Sequence, residues 1–243
     1  MNNKMTSVSK SPENEQQTEV GRSASPCSLR VLVACEYSGT VRDAFTALGH
    51  NATSCDILPT DAPGKHYQGD VRDILGDGWD LLIAHPPCTY LSNSGVSWLH
   101  KDPKRWIELF VGADFFKLFV DAPIEKICVE NPIMHKYARR LIGGRQSQIV
   151  QPWMHGHTES KATGLWLKGL PELKPTRNVK EEMMVLPDRE RQRLHYLPPS
   201  PERWKLRSTT FSGIAQAMAE QWGGNFREND KALASEGLPA APC

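Results

Sequence analysis

The sequence predicts one α/β domain, in which helices flank a mostly parallel β-sheet. The chain has 243 residues, and that length suits a single α/β domain better than two small domains. Between residues 29 and 224, short apolar runs alternate with amphipathic stretches, as they do in successive β-α units. Apolar residues make up 39% of the chain, which provides for one sizeable core and excludes a wholly disordered or fibrous protein.

The first predicted elements are a strand, a helix and a second strand. Residues 29–35 are almost continuously apolar and predict a buried strand. Residues 41–48 follow with helical spacing, and Gly49 predicts the end of that helix. Residues 52–57 predict the second strand, after which a loop rich in proline and glycine leads to Asp70.

A further strand and the longest helix come next. Residues 79–85 predict the strand, and Pro86 and Pro87 stop it because proline cannot donate a hydrogen bond within a central sheet. Asp102 and Pro103 then suit the first turn of a helix. Apolar residues at helical spacing predict the buried face of that helix: Trp106, Phe110, Ala113, Phe116 and Val120.

The last predicted elements are two strands and a closing helix. Residues 126–130 form an apolar run that Asn131 and Pro132 end, and residues 163–167 predict a late strand. The closing helix is predicted from an apolar stripe at helical spacing, which consists of Ile214, Met218 and Trp222. Residues 29–224, which contain all of these elements, show no internal repeat.

Both ends of the chain differ from the predicted domain in composition. Residues 1–28 are rich in Ser, Asn, Gln, Glu and Pro, which predicts a disordered leader, and residues 225–243 predict a flexible tail. No apolar run approaches the roughly 20 residues that a membrane span needs, and no secretory signal is recognisable. We therefore expect a cytoplasmic monomer.

Its six cysteines are widely spaced, which predicts free thiols rather than disulfides or a zinc ribbon.

Charge is distributed unevenly along the chain although the net charge is only +1. Residues 29–85 carry four basic and eight acidic side chains, whereas residues 161–224 carry eleven and seven. Arginine and lysine are interleaved with Tyr196 and Trp204 in residues 168–208, a composition that suits phosphates and an unstacked base as well as a solvated loop. The charge pattern therefore favours a nucleic-acid partner for the last third.

Polar side chains follow four of the predicted strands, at the edge where open α/β sheets bind their ligands. They comprise Glu36 after the first strand, Asp56 at the end of the second, the segment from His85 to Cys88, and the pair Glu130-Asn131. An acidic residue at the end of the second strand is suited to bind the ribose hydroxyls of a cofactor. Asp56 is the candidate for that role, although it could also cap the next turn.

Two of these motifs resemble the DNA cytosine carbon-5 methyltransferases, and most of all their short phage-type members. The motifs are His85-Pro86-Pro87-Cys88 and, some forty residues later, Glu130-Asn131-Pro132. A segment like the family's closing Gly-Ile-Ala-x-Ala-Met-Ala-x-Gln-Trp occupies residues 213–222. The resemblance spans residues 29–224 and implies a Rossmann-like class I methyltransferase fold, a DNA substrate, and a phage-infected or prophage-carrying bacterial host.

The resemblance also implies roles for four residues. Carbon 5 of cytosine is a poor nucleophile, so a thiolate must first add to carbon 6, and Cys88 would supply it. Glu130, kept protonated by burial, would donate to ring nitrogen 3, while Asn131 would hold the loop. The family's arginine-containing segment corresponds here to residues 155–161, where Lys161 could take part of the arginines' role.

The cofactor that the resemblance implies is S-adenosylmethionine. The family's glycine-rich turn is reduced here to one glycine, in residues 36–42. The expected contacts with the cofactor are Glu36, Ser38, Gly39, Asp56, Asp70 and Pro86. The same covalent chemistry could instead use methylenetetrahydrofolate and leave a hydroxymethyl group.

Two further interpretations stay open. An amino methyltransferase would carry Asp/Asn-Pro-Pro-Tyr/Phe, but His85 and Cys88 replace both defining ends. A catalytically silent DNA-binding homologue would fit the lost glycines and the absence of a large target-recognition insertion. No metal is expected, because His155 and His157 offer only two ligands.

Overall fold

A computed structural model of the chain describes residues 28–224. The predicted tail, and the predicted leader apart from Ser28, lie outside the described residues. Ser28 itself donates a hydrogen bond from its hydroxyl to the carbonyl oxygen of Gly49, at 2.9 Å. The described chain therefore begins against the end of the first helix.

Seven strands form a single sheet in the described residues, and most of them are parallel. Strands β1 to β5 run parallel to one another, and β7 lies between β5 and β6 and is antiparallel to both. The order across the sheet is β3-β2-β1-β4-β5-β7-β6. This topology is that of the Rossmann-like class I methyltransferase fold, as predicted. The strands are β1 (Arg30–Ala34), β2 (Asn51–Asp56), β3 (His66–Gln68), β4 (Leu81–Ala84), β5 (Lys126–Pro132), β6 (Gln148–Val150) and β7 (Thr163–Lys168).

Helices cover both faces of the sheet. They are α1 (Thr40–Ala47), α2 (Lys104–Val120), α3 (Lys136–Ile142), α4 (Lys180–Met184), α5 (Asp188–Arg191), α6 (Arg203–Ser208) and α7 (Ser212–Met218), and a π-helical turn (Ala219–Gly223) extends α7. Shorter 3-10 segments occur at Val71–Asp73, Asn93–His100 and Pro152–Met154. Within residues 28–224, none of the helices combines the length and the apolar character that crossing a bilayer requires.

The core has two halves because successive strand residues point to opposite faces of the sheet. Val31 and Val33 of β1 pack toward α1 and α7, in a cluster that also buries Phe45 and Trp222. Leu32 and Ala34 point the other way, toward α2, where the helix buries Leu109, Ala113, Phe116 and Phe119. Burial on both faces explains why these strands are almost continuously apolar.

The predicted buried face of α2 is confirmed at Ala113 and Phe116 and is wrong at Phe110. Phe110 is 52% exposed, whereas its neighbour Leu109 is fully buried. A shift of one position turns a side chain by about 100° around a helix axis, so Leu109 and Phe110 cannot both face the sheet. The other two predicted residues, Trp106 and Val120, are partly buried against the core.

Strands β3 and β6 carry no signal in the sequence analysis. Each has only three residues, and neither shows the apolar run that marks the central strands. Pairing with a neighbour creates them, since β3 lies in register with β2 and β6 with β7. Tertiary context therefore decides these two elements rather than local propensity.

Candidate functional site

The carboxyl ends of β1, β4 and β5 surround a small cavity of about 120 Å³. Residues directly after β1 and β4 form two of its sides, and Glu130 of β5 forms a third. Residues before β7 and before α7 close it. The lining residues are Cys35, Glu36, Tyr37, Ser38, His85, Pro86, Pro87, Cys88, Glu130, Pro132, Lys161, Arg207, Ser208, Thr209 and Thr210.

A loop that is fixed at both ends brings Cys88 to this cavity. The Asn131 side chain donates from Nδ2 to the carbonyl oxygen of Pro86 at 2.9 Å, and Asn131 is itself buried. The carbonyl oxygen of Cys88 accepts hydrogen bonds from the backbone N–H groups of Leu91 and Ser92, both at 3.0 Å. The thiol is thus presented from a turn whose backbone is tied to β5.

Opposing influences act on the thiol of Cys88. Burial raises its pKa, and the Glu130 carboxylate acts in the same direction. The cations of Lys161 and Arg207 act against burial and favour the thiolate, yet the net pKa stays above its ordinary value. Lys161 is held in place by a hydrogen bond from Nζ to the carbonyl oxygen of Arg207, at 2.8 Å.

Glu130 forms a close pair with His85. Oε2 of Glu130 lies 2.8 Å from Nδ1 of His85, and the hydroxyl of Thr210 donates to the same oxygen at 3.4 Å. Burial acts to raise the pKa of Glu130, but His85, Lys161 and Thr210 outweigh it and lower that pKa below its usual value. The structure thus adds three polar neighbours to the burial that the sequence analysis considered for Glu130.

The predicted cofactor residue Glu36 has its carboxylate occupied within the protein. Oε1 accepts the backbone N–H of Val41 at 2.6 Å, and Oε2 accepts that of Arg42 at 3.2 Å. These are N–H groups of the first turn of α1, which have no partner inside the helix. Ser38 donates to the same carboxylate at 3.4 Å. Glu36 lines the cavity while capping the helix.

Gly39 lies against a buried arginine. It adopts a left-handed φ of 74°, and a Cβ at this position would overlap the guanidinium of Arg42. That guanidinium is fully buried and donates to Ser54, Thr60 and two carbonyl oxygens of the loop after β2. Gly39 is thus required here by Arg42, whatever else it contacts.

Asp56 and Asp70 do not line the cavity. Asp56 accepts the backbone N–H of Leu58 on Oδ1 at 3.0 Å, and Asp70 accepts that of Arg72 at 2.9 Å, so each caps a local turn. Both carboxylates act electrostatically on Cys35, whose pKa is raised above all by burial. Cys35 therefore lies between the cavity and the two acids.

The two histidines that the sequence analysis considered as metal ligands, His155 and His157, form hydrogen bonds within the protein. His157 accepts the backbone N–H of Gly213 on Nε2 at 3.0 Å, and Nδ1 of His155 is hydrogen-bonded to the hydroxyl of Thr176. In residues 28–224 no three His, Cys, Asp or Glu side chains converge to hold a metal ion.

The rim of the cavity is cationic and aromatic on one side. Helix α6 carries Lys205 and Trp204 beside Tyr37, whose ring centroid lies 5.4 Å from that of Trp204. The hydroxyl of Tyr37 donates to the carbonyl oxygen of Lys205 at 3.0 Å, which fixes α6 to the end of β1. Trp204 stays half exposed at this mouth.

Sequence reasoning assigned no function of their own to three of the residues that shape the site: His85, Thr210 and Arg42. His85 stands directly before the Pro-Pro-Cys motif, which is the one local signal that could have drawn attention to it. The others become relevant only through contacts with residues far away in the sequence.

Comparisons with known proteins complete the description. No family model matches the chain, and no curated protein matches it. Among solved structures, the chain is similar to an E. coli protein described as a candidate DNA modification methyltransferase encoded within a prophage. The identity is 18% and the TM-score is 0.39, over 66% of this chain and 56% of that one. The match thus spans little more than half of that protein's length.

Proposed function

We propose that the protein is a DNA cytosine carbon-5 methyltransferase that bonds covalently to its target base through Cys88. One observation carries the proposal: a thiol, a carboxyl group paired with an imidazole, and a lysine ammonium group line one small cavity at the carboxyl edge of the sheet. Nucleophile, proton donor and cation are the groups that addition to a cytosine ring requires.

The chemistry proceeds by addition and elimination. The Cys88 thiolate adds to carbon 6, and the electron pair of the ring moves toward nitrogen 3, which takes a proton from Glu130. Carbon 5 would then take up an electrophilic methyl group, and the electron pair of the broken donor–methyl bond would stay with the donor. Carbon 5 loses its hydrogen to solvent as a proton, nitrogen 3 returns its proton to Glu130, and the sulfur–carbon 6 bond breaks, which restores the aromatic ring and the thiolate. Lys161 favours the thiolate before addition and after elimination.

S-adenosylmethionine would supply an electrophilic methyl group. The residues fit this cofactor in part. Asp56 ends β2 and accepts the backbone N–H of Leu58 on Oδ1, and a carboxylate at this strand end is suited to bind ribose hydroxyls. Ser38 and Pro86 line the cavity and would lie at the reacting end, with Asp70 near Cys35. Glu36 and Gly39 fit less well, since the α1 backbone and Arg42 already occupy them.

DNA is the proposed partner because of the rim. Lys205, Arg207 and Lys161 place positive charge at or near the mouth of the cavity, and Trp204 offers an exposed ring for stacking. Cationic and aromatic side chains together are typical of sites that hold an unstacked base.

The decisive experiment is covalent trapping on DNA that contains 5-fluorocytosine, with S-adenosylmethionine present. Fluorine at carbon 5 blocks elimination, so the proposal predicts a stable protein–DNA adduct with the native protein. Cys88→Ser should form no adduct, because a hydroxyl is not ionised at neutral pH. Cys35→Ser is the matched control, since Cys35 lines the same cavity, and this variant should still form the adduct.

Mass spectrometry of ordinary DNA then identifies the group that is transferred. Addition of one methyl group supports the proposal. A hydroxymethyl group that appears only with methylenetetrahydrofolate would show that this folate, and not S-adenosylmethionine, is the donor. Absence of both the adduct and any modified cytosine, on single-stranded and double-stranded DNA, would reject the enzyme and leave a DNA-binding protein.

A further inference from the structure

The contact between His85 and Glu130 joins two strand ends whose residues are 45 positions apart. His85 directly follows β4, and Glu130 lies in β5, which pairs with β4 in parallel register. Their side chains are only 12% and 13% exposed. When two titratable groups are buried this close together, each shifts the pKa of the other.

Hydrogen bonding distinguishes the two oxygens of Glu130. Oε2 receives both donors, His85 Nδ1 and the hydroxyl of Thr210. Oε1 has no hydrogen-bond partner among residues 28–224, although Glu130 lines the cavity. One oxygen is therefore fixed by the protein, and the other is left for a ligand.

The two nitrogens of His85 are distinguished in the same way. Nε2 is buried and has no hydrogen-bond partner within the described part of the chain. In the neutral ring, a lone pair without a partner costs less at Nε2 than an N–H group without one. The neutral form of His85 therefore suits the tautomer in which Nδ1 carries hydrogen and donates to Oε2.

We propose that His85 is a positioning residue for the cytosine chemistry proposed above: its Nδ1–H group holds Oε2 of Glu130, so that Oε1 presents the one exchangeable proton of the pair to ring nitrogen 3. The inference rests on the proposed function. It assigns to His85 a role that acts through Glu130, without direct contact with the base.

The proton balance is simple. Before a base is bound, the pair holds one exchangeable proton, which lies either on the imidazole of His85 or on Oε1 of Glu130. When the bond from sulfur to carbon 6 forms, the electron pair that reaches nitrogen 3 takes the proton from Oε1. The pair is left with a neutral imidazole and a carboxylate, and it regains the proton when the thiolate leaves.

Surrounding charges favour retention of this proton. Burial acts to lower the pKa of His85, but Glu130, together with Glu36 beyond β1, outweighs it and raises that pKa. Lys161, before β7, opposes this effect. Because the pair offers the proton two places, it keeps the proton to a higher pH than a lone Glu130 carboxyl group would.

The first test needs no catalysis. The imidazole of His85 is titrated by NMR in the native protein and in Glu130→Gln, and its signal is assigned by its loss in His85→Asn. The expected pKa lies above the ordinary 6.5 in the native protein and falls in Glu130→Gln. An unchanged value would overturn the inference. His195→Asn, at an exposed position, serves as the control and should leave the His85 signal and its pKa unchanged.

The second test uses the rate of adduct formation on 5-fluorocytosine DNA between pH 5 and 7.5. The amide of His85→Asn replaces the Nδ1 donor but cannot titrate. Dividing its rate by the native rate cancels the titration of Cys88, and the ratio should fall at least about tenfold as the pH rises. A constant ratio would reject the role of His85 but would leave the proposed function standing. Failure of the native protein to form any adduct would reject the proposed function and this inference with it.

Discussion

Lys161 shows how one side chain can offset the burial of a nucleophile. Cys88 lies in a mostly dehydrated turn, where burial raises its pKa, and a thiol that stays protonated reacts slowly. Lys161 supplies the first of the two opposing positive charges, and its hydrogen bond to the carbonyl oxygen of Arg207 keeps it in place. The residue thus acts on the reactivity of Cys88 before any substrate is bound.

Replacing Lys161 with methionine should slow alkylation of Cys88. The variant removes the charge and keeps the length of the side chain, so the pKa of Cys88 should rise further. Iodoacetamide labelling at pH 7.5, read out by mass spectrometry of the peptide that contains Cys88, should slow by about three- to tenfold. Lys205→Met is the control, since Lys205 lies on the rim and bonds to Asp61. Equal labelling rates in both variants would show that Lys161 does not activate the thiol.

At the scale of an element, the start of α1 combines three features that the sequence shows only as neighbours. Glu36 caps the first turn, Gly39 takes a left-handed conformation, and Arg42 fills the space where a Cβ would be. The buried guanidinium then holds the loop after β2 by its carbonyl oxygens at Ala62 and Pro63. One helix end therefore fixes two loops at the carboxyl edge.

Two glycine-to-alanine variants separate backbone strain from crowding at this helix. Gly49 has φ of 86° and free space around the missing Cβ, so Gly49→Ala should cost about 1–2 kcal/mol from strain alone. Gly39→Ala must also displace Arg42, which should add about 1–3 kcal/mol. Urea unfolding measures both changes. In an Arg42→Ala background, Gly39→Ala and Gly49→Ala should lower the free energy of unfolding by the same amount. A remaining difference would show that Arg42 is not what crowds position 39.

The sequence could predict the strands that are buried on both faces of the sheet. It could not predict the short strands that form only because they pair with a neighbour. The central strands are recognisable because Leu32, Val33 and Ile83 belong to apolar runs that both cores require. The alternation of strands and helices then determines the fold class. Strand β3 has no such run, and the face of α2 was misassigned because apolar residues such as Leu109 and Phe110 lie side by side.

The same limit applies to the site. The family resemblance named Cys88, Glu130 and Lys161 as candidates, and the fold brings all three to one cavity. The pairing of Glu130 with His85 could not be identified, because it depends on the register of β4 against β5. The electrostatic surroundings of Glu130 depend on that contact, so they could not be predicted from the sequence.

At the scale of the whole molecule, several histidines couple stability to pH. Burial lowers the pKa of His50, His135 and His155. His50 accepts the backbone N–H of Leu29 on Nδ1, and His135 accepts that of Ala138, so both rings need an unprotonated nitrogen in the fold. The unfolded chain therefore binds protons at a pH where the folded chain does not.

Stability should consequently fall as the pH drops below about 6.5, the ordinary histidine pKa. Each histidine that must stay neutral contributes up to about 1.4 kcal/mol per pH unit once its unfolded form is protonated. Urea unfolding between pH 7.5 and 5 measures the slope. His50→Gln should reduce it, whereas His195→Gln, at an exposed position, should leave it unchanged. Identical slopes in the native protein and His50→Gln would show that His50 is not involved.

The hydrogen bond from Tyr37 to Lys205 has a consequence for the order of folding. It joins residues 168 positions apart, and the neighbouring segment up to Thr210 supplies one wall of the cavity. Closing so long a stretch of chain costs more entropy than pairing adjacent strands, and contacts of this kind form late. During synthesis, Cys88 and the strands around it are therefore made well before the wall that encloses its thiol, and the cavity of the nascent chain stays incomplete until that last segment docks.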